Sequence, residues 1–517
     1  MLQTSAPEIE IANAGQAVRL MASFFDALRW RGVRYCHWKS NLRLSHGLRG
    51  QTDLDLLVDP AHRRTFGQVL AEHGARRVRA APGREYPAVE NYLAFDQESG
   101  RLLHLHVHYQ LVLGEQFVKN YRLPLEEQFL SSARLRQGVY VPAPELELIV
   151  LSLRALLKYR DRDVVKDVLT IRHPGLPAHI TDEIAWLLGQ TSIERIAERL
   201  RDVGDGVPAD AVLAFLRTVT ATPRAGFRLF WLRGRVRRAL GRHQRASRAR
   251  ASLVYFRELW RRRNSFLRRT PARGMTLPEG GRTLALIGAD GAGKSTMCAQ
   301  IHRWLRWKLD AQLYYLGSKQ PSRRSRALYM LFRMARRSHS EVSRALGEAS
   351  LLARPLELAR QVLLYCHCLS IGYDRYARYQ AGRERARLGS VVIFDRYPLE
   401  AISATTEHRL LDGPQIPLLA GCERGIVTRA FAAAERRLYR RMLPPDQLVV
   451  LDVSPEVSMQ RKPDHRREAI SAKSRAVREL AATTSRGAGF NLALVDADEP
   501  EDAVLQRLKA HVWRVLS

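Results

Sequence analysis

Apolar positions along this 517-residue chain follow two periods, and the places where the period changes outline its elements. Ala12–Arg31 carries Val18, Met21, Phe24, Phe25 and Leu28 on one 3.6-residue stripe, which predicts an amphipathic helix. Short strand-like runs follow at Val33–Trp38, Leu54–Val58 and Leu102–Gln110, with a helical stretch at Ala61–His73. From Glu145 to Leu200 the pattern turns helical, most clearly in PELELIVLSLRALLKY and DEIAWLLGQ. Strands followed by helices predict an α+β domain over residues 1–222. Further on, Thr283–Ile287, Ala311–Leu316, Val391–Phe394, Gln447–Asp452 and Leu492–Val495 alternate with helical stretches such as Thr296–Leu309 and Leu356–Arg387. That alternation predicts an α/β domain over residues 280–517, an open parallel sheet with helices on both faces. No repeat of fixed period runs through the chain.

Between them, residues 223–279 combine arginines with Phe227, Phe230, Trp231, Val236, Leu240, Val254, Phe256, Trp260 and Leu267. This predicts one or two basic amphipathic helices joining the domains. From Pro223 to Arg273 there are seventeen arginines and a single acid, Glu258, so half of the chain's formal charge of +32 sits in about a tenth of its length. An anionic membrane surface, with aromatics dipping into the interface, would suit such a segment. So would a connecting helix packed by its apolar side on one domain. Nucleic acid is the weakest of the three partners, because no nucleic-acid module accompanies the charge.

The hydrophobic fraction, 46%, is ordinary for globular protein, and the length calls for more than one core. The five cysteines show no paired spacing, and Cys366-His367-Cys368 lacks a second ligand pair, so reduced thiols are expected. No signal-like N-terminus or membrane-length apolar run is present. The expectation is a soluble, cytoplasmic protein, at most peripheral to a membrane.

The stretch TLALIGADGAGKST carries the clearest chemistry. Gly288-Ala289-Asp290-Gly291-Ala292-Gly293-Lys294-Ser295 fits GxxxxGK[ST] between a strand and a helix, with Thr296 following. Glycines let consecutive N–H groups point at phosphate oxygens, at the positive end of the next helix. Lys294 would bridge the β- and γ-phosphates of a nucleoside triphosphate, and the Ser295 hydroxyl would hold Mg²⁺.

In the first domain, Asp53-Leu54-Asp55 puts two carboxylates on one strand face, a pattern that suits paired Mg²⁺ ions or an ordinary solvated strand. Trp38-Lys39-Ser40-Asn41 and then GQTDLDLLVD, over roughly residues 30–170, resemble the nucleotidyltransferase fold of polymerase-β-like enzymes. That resemblance implies metal binding by Asp53 and Asp55, with a third carboxylate on a later strand. Here the later strand reads Leu103-His104-Leu105-His106-Val107-His108, with no acid. The three histidines share a face and could ligate a transition metal, contact phosphate, or be hydrogen-bonded on a half-buried strand. The domain could then bind a nucleotide without turning it over.

Over residues 280–517, GADGAGKST, the DRY at Asp395-Arg396-Tyr397 and LDVSPEVSMQRK with its basic continuation RKPDHRR resemble the thymidylate kinase branch of P-loop nucleoside monophosphate kinases. The resemblance implies ATP and Mg²⁺ as cofactors. It implies that Asp290 orients the acceptor or its metal shell, that Arg396 clamps the acceptor phosphate and that Asp395 assists Mg²⁺. Arg375 would contact the acceptor as well. Arg461 with Lys462, Arg466 and Arg467 would close over the transferred group, and residues near Asp496–Asp498 would flank adenine. Guanidinium pairs suit phosphate oxygens, and phosphoryl transfer depends mainly on positioning and charge neutralisation. The acceptor segment departs from thymidylate kinases: GSKQP stands where they carry a loop of the type REPGG, and YCHCLSIGY replaces their thymine-stacking pattern.

The leading expectation is therefore ATP-dependent phosphoryl transfer to a small phosphorylated acceptor, with thymidylate kinase the nearest named activity. The fusion also resembles bacterial proteins associated with surface polysaccharide synthesis, which implies a phosphorylated sugar or lipid-linked acceptor. A nucleotide-gated scaffold docking to membrane or nucleic acid is one alternative. Nucleotidyl transfer by the N-terminal domain is another.

Overall fold

A computed structural model describes residues 17–159 (82 and 116 apart), 176–221, 226–264, 274–347, 353–398, 415–416, 425–463, 468, 471, 474–475, 478 and 491–516. The chain divides into two compact units, Met1–Met275 and Thr276–Ser517.

The first unit is built on a five-stranded sheet of β1 (Tyr35–His37), β2 (Leu54–Val58), β3 (Arg76–Val78), β4 (Val89–Asp96) and β5 (Arg101–His108), in the order β1-β2-β5-β4-β3. Only β2 and β5 run parallel, and their register sets Asp55 beside His106. Alternation separates the two faces. Leu54, Leu56 and Val58, with Leu103, Leu105 and Val107, bury against Phe24, Phe25 and Leu28 of helix Arg19–Trp30 and Phe66, Val69 and Leu70 of helix Arg63–Glu72. The intervening positions, Asp55 and His104, His106 and His108, are thereby turned to the opposite face. Strand β4, which had no place among the expected elements, pairs antiparallel with β5 along its length.

Two small hairpins follow, β6 (Leu111–Leu113) with β7 (Tyr121–Leu123) and β8 (Arg134–Arg136) with β9 (Val139–Val141). The helical part then gathers around Pro144–Lys158, whose leucines are buried among helices Ala178–Leu188, Ile193–Val203 and Ala209–Ala221. The arginine-rich segment contributes to this core: Leu229, Leu232 and Val236 of helix Gly226–Ala239 are among its buried members. Arg233, 4% exposed, donates to the Tyr159 carbonyl at 2.8 Å. The first part of the segment is thus packed within the first unit through Leu229, Leu232 and Val236, whereas Phe227, Phe230 and Trp231 of the expected apolar stripe are exposed.

The second unit holds a parallel sheet of β10 (Thr283–Gly288), β11 (Ala311–Tyr315), β12 (Val391–Asp395), β13 (Gln447–Asp452) and β14 (Asn491–Asp496), ordered β11-β12-β10-β13-β14. Ala285, Ile287, Val392, Phe394, Leu448 and Val450 pack on Tyr379 of helix Ala353–Arg387 and Tyr439 of helix Ile426–Tyr439. The alternate positions Leu284, Leu286, Val391, Ile393, Val449 and Leu451 are also buried, on the face that helix Lys294–Arg306 covers. Strands apolar on both faces are what a sheet sandwiched between helices needs. Among the described residues no helix is long and apolar enough to cross a membrane.

One buried carboxyl ties the first unit's sheet to its helices. Glu147, on Pro144–Lys158, accepts from the Asn41 backbone N–H at 3.0 Å and from Asn41 Nδ2 at 2.8 Å. Burial raises this carboxyl from its ordinary 4.5 to about 7, against the opposing pull of the Asn41 hydrogen bonds. A carboxyl with a raised pKa holds its proton more tightly folded than unfolded, so its contribution is full below pH 4.5 and is lost as pH rises through about 7. Glu147→Gln removes that titration. Relative to wild type, its urea midpoint should therefore climb between pH 4.5 and 7, and a flat difference would refute the assignment.

Candidate functional site

The centre of the second unit's sheet ends in the GADGAGKS loop, between β10 and helix Lys294–Arg306. Its glycines are required by space and by backbone. Gly291 lies at φ +87°, and a Cβ there would stand 2.8 Å from Ser458 Oγ and 2.9 Å from the Ser458 carbonyl oxygen. Gly293, at φ +78°, caps the helix in the left-handed region. The Lys294 ammonium arches over the loop and donates to the carbonyls of Gly288 at 2.9 Å and Ala289 at 2.6 Å. Ser458, on helix Pro455–Arg461, donates to the Asp290 carbonyl and ties the loop to that helix.

The neighbouring strand β12 brings in the next groups. Ser295 Oγ donates to Asp395 Oδ2 at 2.7 Å, while Asp395 Oδ1 is buried without a hydrogen-bond partner. A hydroxyl beside a carboxylate with an unsatisfied oxygen is a donor set that fits a hard cation such as Mg²⁺. Arg396 follows at φ +66°, left-handed and not glycine. Its guanidinium approaches Asp290 Oδ1 to 3.8 Å, with both side chains largely buried. Strained backbone of this kind is retained where the surroundings fix it, and here it turns the arginine back toward the loop.

These groups line a cavity of about 440 Å³, with Arg461, Lys462, Ala497, Glu499, Glu501 and Val504 on the remaining walls. Arg461 donates to the Ala497 carbonyl at 2.9 Å. Of the residues expected at this site, Asp290–Thr296, Arg396 and Arg461 line the one cavity. Asp395 stands beneath it through Ser295. Gly288 and Ala289 supply the carbonyls that hold Lys294. Arg466 lies outside the described residues.

Arg375 is a correction. It is 2% exposed and donates to the Tyr439 hydroxyl at 2.6 Å, within the packing of helices Ala353–Arg387 and Ile426–Tyr439 rather than on the cavity wall. Its neighbour Asp374 accepts from the Ser322 N–H and the Ser325 hydroxyl, at 2.8 and 2.7 Å, and so braces the start of helix Arg323–Leu346, which Ser322 caps. Both residues hold helices together. Ser458 and Lys462 gain the importance that Arg375 loses. Lys462 was legible in the basic run, whereas the Ser458 contact joins residues 168 apart and leaves no local trace.

In the first unit the two carboxylates of the DxD pair meet different partners: Asp53 stands 3.0 Å from His104 Nδ1, while Asp55 Oδ1 receives Lys39 Nζ at 2.7 Å and His106 Nδ1 at 2.8 Å. Burial works to raise the Asp55 carboxyl, but the Lys39 ammonium and the imidazole hydrogen bonds outweigh it and hold Asp55 well below the usual carboxylate range. Burial, with repulsion from Lys39 second, lowers nearby Lys119 to about 7.

A central P-loop on a parallel sheet, with a hydroxyl–carboxylate pair at the next strand end, defines the second unit as a P-loop nucleoside-triphosphatase fold. No protein-family model matches the chain. The uncharacterized ATP-binding protein YghR of Escherichia coli K12 is 30% identical over 189 residues, 35% of this chain and 69% of YghR. YghR of the O6:H1 strain CFT073 matches to the same extent. The chain belongs to this YghR family. YghS, a second uncharacterized ATP-binding protein of strain K12, is 26% identical over 243 residues, 46% of this chain and 94% of YghS. Among solved structures, deoxyadenosine kinase of M. mycoides with bound dATP aligns with 44% of this chain and 98% of the kinase, at 14% identity and a TM-score of 0.27. The same kinase with dCTP gives 0.28. So remote a likeness carries no weight for activity.

The left-handed Arg396 backbone yields a test of its own. A side chain there costs about 1–2 kcal/mol, so Arg396→Gly should stabilise the second unit by about 0.5–1 kcal/mol, even though it deletes the contact with Asp290. A urea titration measures the difference, and a lowered midpoint would show that Arg396's contacts outweigh its strain.

Proposed function

We propose that this chain is an ATP-dependent phosphotransferase of the P-loop kinase type, acting on a small phosphorylated acceptor. The observation that carries the reading is the convergence of Lys294, Arg396, Arg461 and Lys462 on one cavity beside the Ser295–Asp395 pair. Phosphoryl transfer spreads negative charge over oxygens of the moving group, and a kinase needs cations on the acceptor side as well as the donor side. The P-loop and Lys294 would hold the β- and γ-phosphates of ATP. Ser295 and Asp395 would hold Mg²⁺, which when bound supplies charge neutralisation at those phosphates. Arg396, fixed against Asp290, would take the acceptor phosphate. Arg461 and Lys462 would shield the transferred group from water.

ATP as donor is further supported by the names of the relatives YghR and YghS. Thymidylate kinase remains the nearest named activity by its motifs. The fusion's resemblance to proteins associated with surface polysaccharide synthesis favours a phosphorylated sugar or lipid-linked acceptor, and GSKQP departs from the thymidylate kinase loop at that place. Screening nucleoside monophosphates, phosphosugars and lipid phosphates by ADP release identifies the acceptor. Lys294→Ala should lower turnover by about a hundredfold or more while far-ultraviolet circular dichroism stays unchanged. Undiminished turnover in that variant would remove the proposal. Asp395→Asn should raise the Mg²⁺ concentration needed for half-maximal rate.

A second reading, peripheral contact with an anionic membrane, is favoured by one specific surface. Helix Arg248–Asn264 exposes Leu253, Phe256 and Trp260, at 69%, 65% and 68%, on one stripe, with Arg250, Arg257 and Arg261 beside them. Aromatics among arginines suit the headgroup boundary of an anionic bilayer. Sedimentation with vesicles containing phosphatidylglycerol should be lost with neutral lipid or high salt, and each arginine removed should weaken binding by about 1 kcal/mol. Equal binding to neutral vesicles would contradict the reading.

A further inference from the structure

The polar face of the first unit's sheet holds a second constellation, independent of the P-loop. Asp55 Oδ1, His106 Nδ1 and His108 Nε2 all lie within 4.8 Å of one another. Asp55 stands 2.8 Å from His106, His106 stands 3.2 Å from His108, and His108 stands 3.8 Å from Asp55. We propose that these three residues form a binding site for one divalent transition-metal ion of the zinc class.

Hydrogen bonding alone leaves this triangle unsatisfied. If His106 Nδ1 carries a proton and donates it to Asp55, it has no lone pair left to accept from His108 Nε2. His108 then either turns an Nε2–H toward the Asp55 oxygen, 3.8 Å away and beyond normal hydrogen-bond length, or keeps its proton on Nδ1, which is buried without a hydrogen-bond partner. If His108 instead donates from Nε2 to His106, then His106 Nδ1 and the Asp55 oxygen become two acceptors 2.8 Å apart. Each tautomer leaves one buried polar atom wrongly faced, a costly arrangement where His108 is 0% exposed. A cation at the centre of the triangle takes a lone pair from all three atoms, so that His106 Nδ1, His108 Nε2 and the Asp55 oxygen face a common partner, while His108 carries its proton on Nδ1.

Spacing and ligand type agree. Donors around a tetrahedral ion at about 2.0–2.1 Å stand about 3.3 Å apart, and the three separations bracket that figure. Two imidazoles and one carboxylate select zinc and its neighbours over magnesium, which prefers oxygen donors. The donors are rigid. Asp55 and His106 are register partners on adjacent strands, and the Trp38 ring meets the edge of His108 with centroids 5.1 Å apart. Lys39, whose ammonium bonds to the same Asp55 oxygen, balances the carboxylate and has to swing aside when an ion binds. Its flexible stem permits that movement.

The experiment uses the full chain, stripped with a chelator and titrated with Zn²⁺ by calorimetry and with Co²⁺ by visible absorption. One ion per chain is expected, with the intense d–d bands of four-coordinate cobalt and no competition from millimolar Mg²⁺. His106→Gln combined with His108→Gln should weaken Zn²⁺ by more than about tenfold, since loss of a ligand's outer partner alone costs that much. Stoichiometric Zn²⁺ binding that survives the double substitution would overturn the site. Should that variant misfold, the unaltered chain decides: only weak octahedral cobalt bands, or no stoichiometric uptake, would also overturn it. A thermal shift with ATP reports separately on the P-loop.

Discussion

The second unit depends on one close contact, the packing of the phosphate-binding loop against helix Pro455–Arg461. Ser458 sits so near Gly291 that a Cβ would be forced within 2.8 Å of its hydroxyl, while that hydroxyl bonds the Asp290 carbonyl. The glycine therefore answers two demands at once, a left-handed backbone and an approach that only a hydrogen side chain allows. The loop is braced from outside rather than by its own side chains. Because that helix ends at Arg461, the same contact delivers Arg461 and Lys462 to the cavity wall. Cationic groups distant in the chain are thus placed by a single packing decision.

A related economy holds at β12. A parallel strand apolar on both faces has to end where the sheet ends, and Asp395 and Arg396 stand at that end. Asp395 turns to Ser295, while Arg396 adopts a costly left-handed backbone that returns its side chain toward Asp290. The buried strand supplies rigidity, and the strain at its tip sets direction. In the first unit alternation does similar work. Leucines and valines of β2 and β5 fill the core, so the aspartate and histidines between them are held side by side on the other face.

Much of this was legible in local sequence. The P-loop could be read because its spacing lies within eight consecutive residues, and the parallel sheet because its strands are short, apolar and separated by helical periods. The basic run that begins at Arg461, by contrast, was readable as charge but not as position. Strand β4 escaped notice because VENYLAFD mixes polar with apolar residues and only its pairing with β5 makes it a strand. Arg375 shows the opposite failure. An arginine after an acid on a helix has the same local signature whether it faces a ligand or a hydroxyl such as that of Tyr439.

By itself the sequence determined a P-loop at the head of a helix, a parallel sheet in the second half and a mixed strand-and-helix first half. These follow from periodicity and from steric rules acting over a few residues. Tertiary structure alone decided which polar groups meet: Lys39 with Asp55, Asp53 with His104, Ser295 with Asp395, Arg396 with Asp290. Such pairs are fixed by register between strands and by helices packed across a sheet. Coulombic and hydrogen-bonding partners are chosen by distance in space, and no local pattern along a chain encodes that distance.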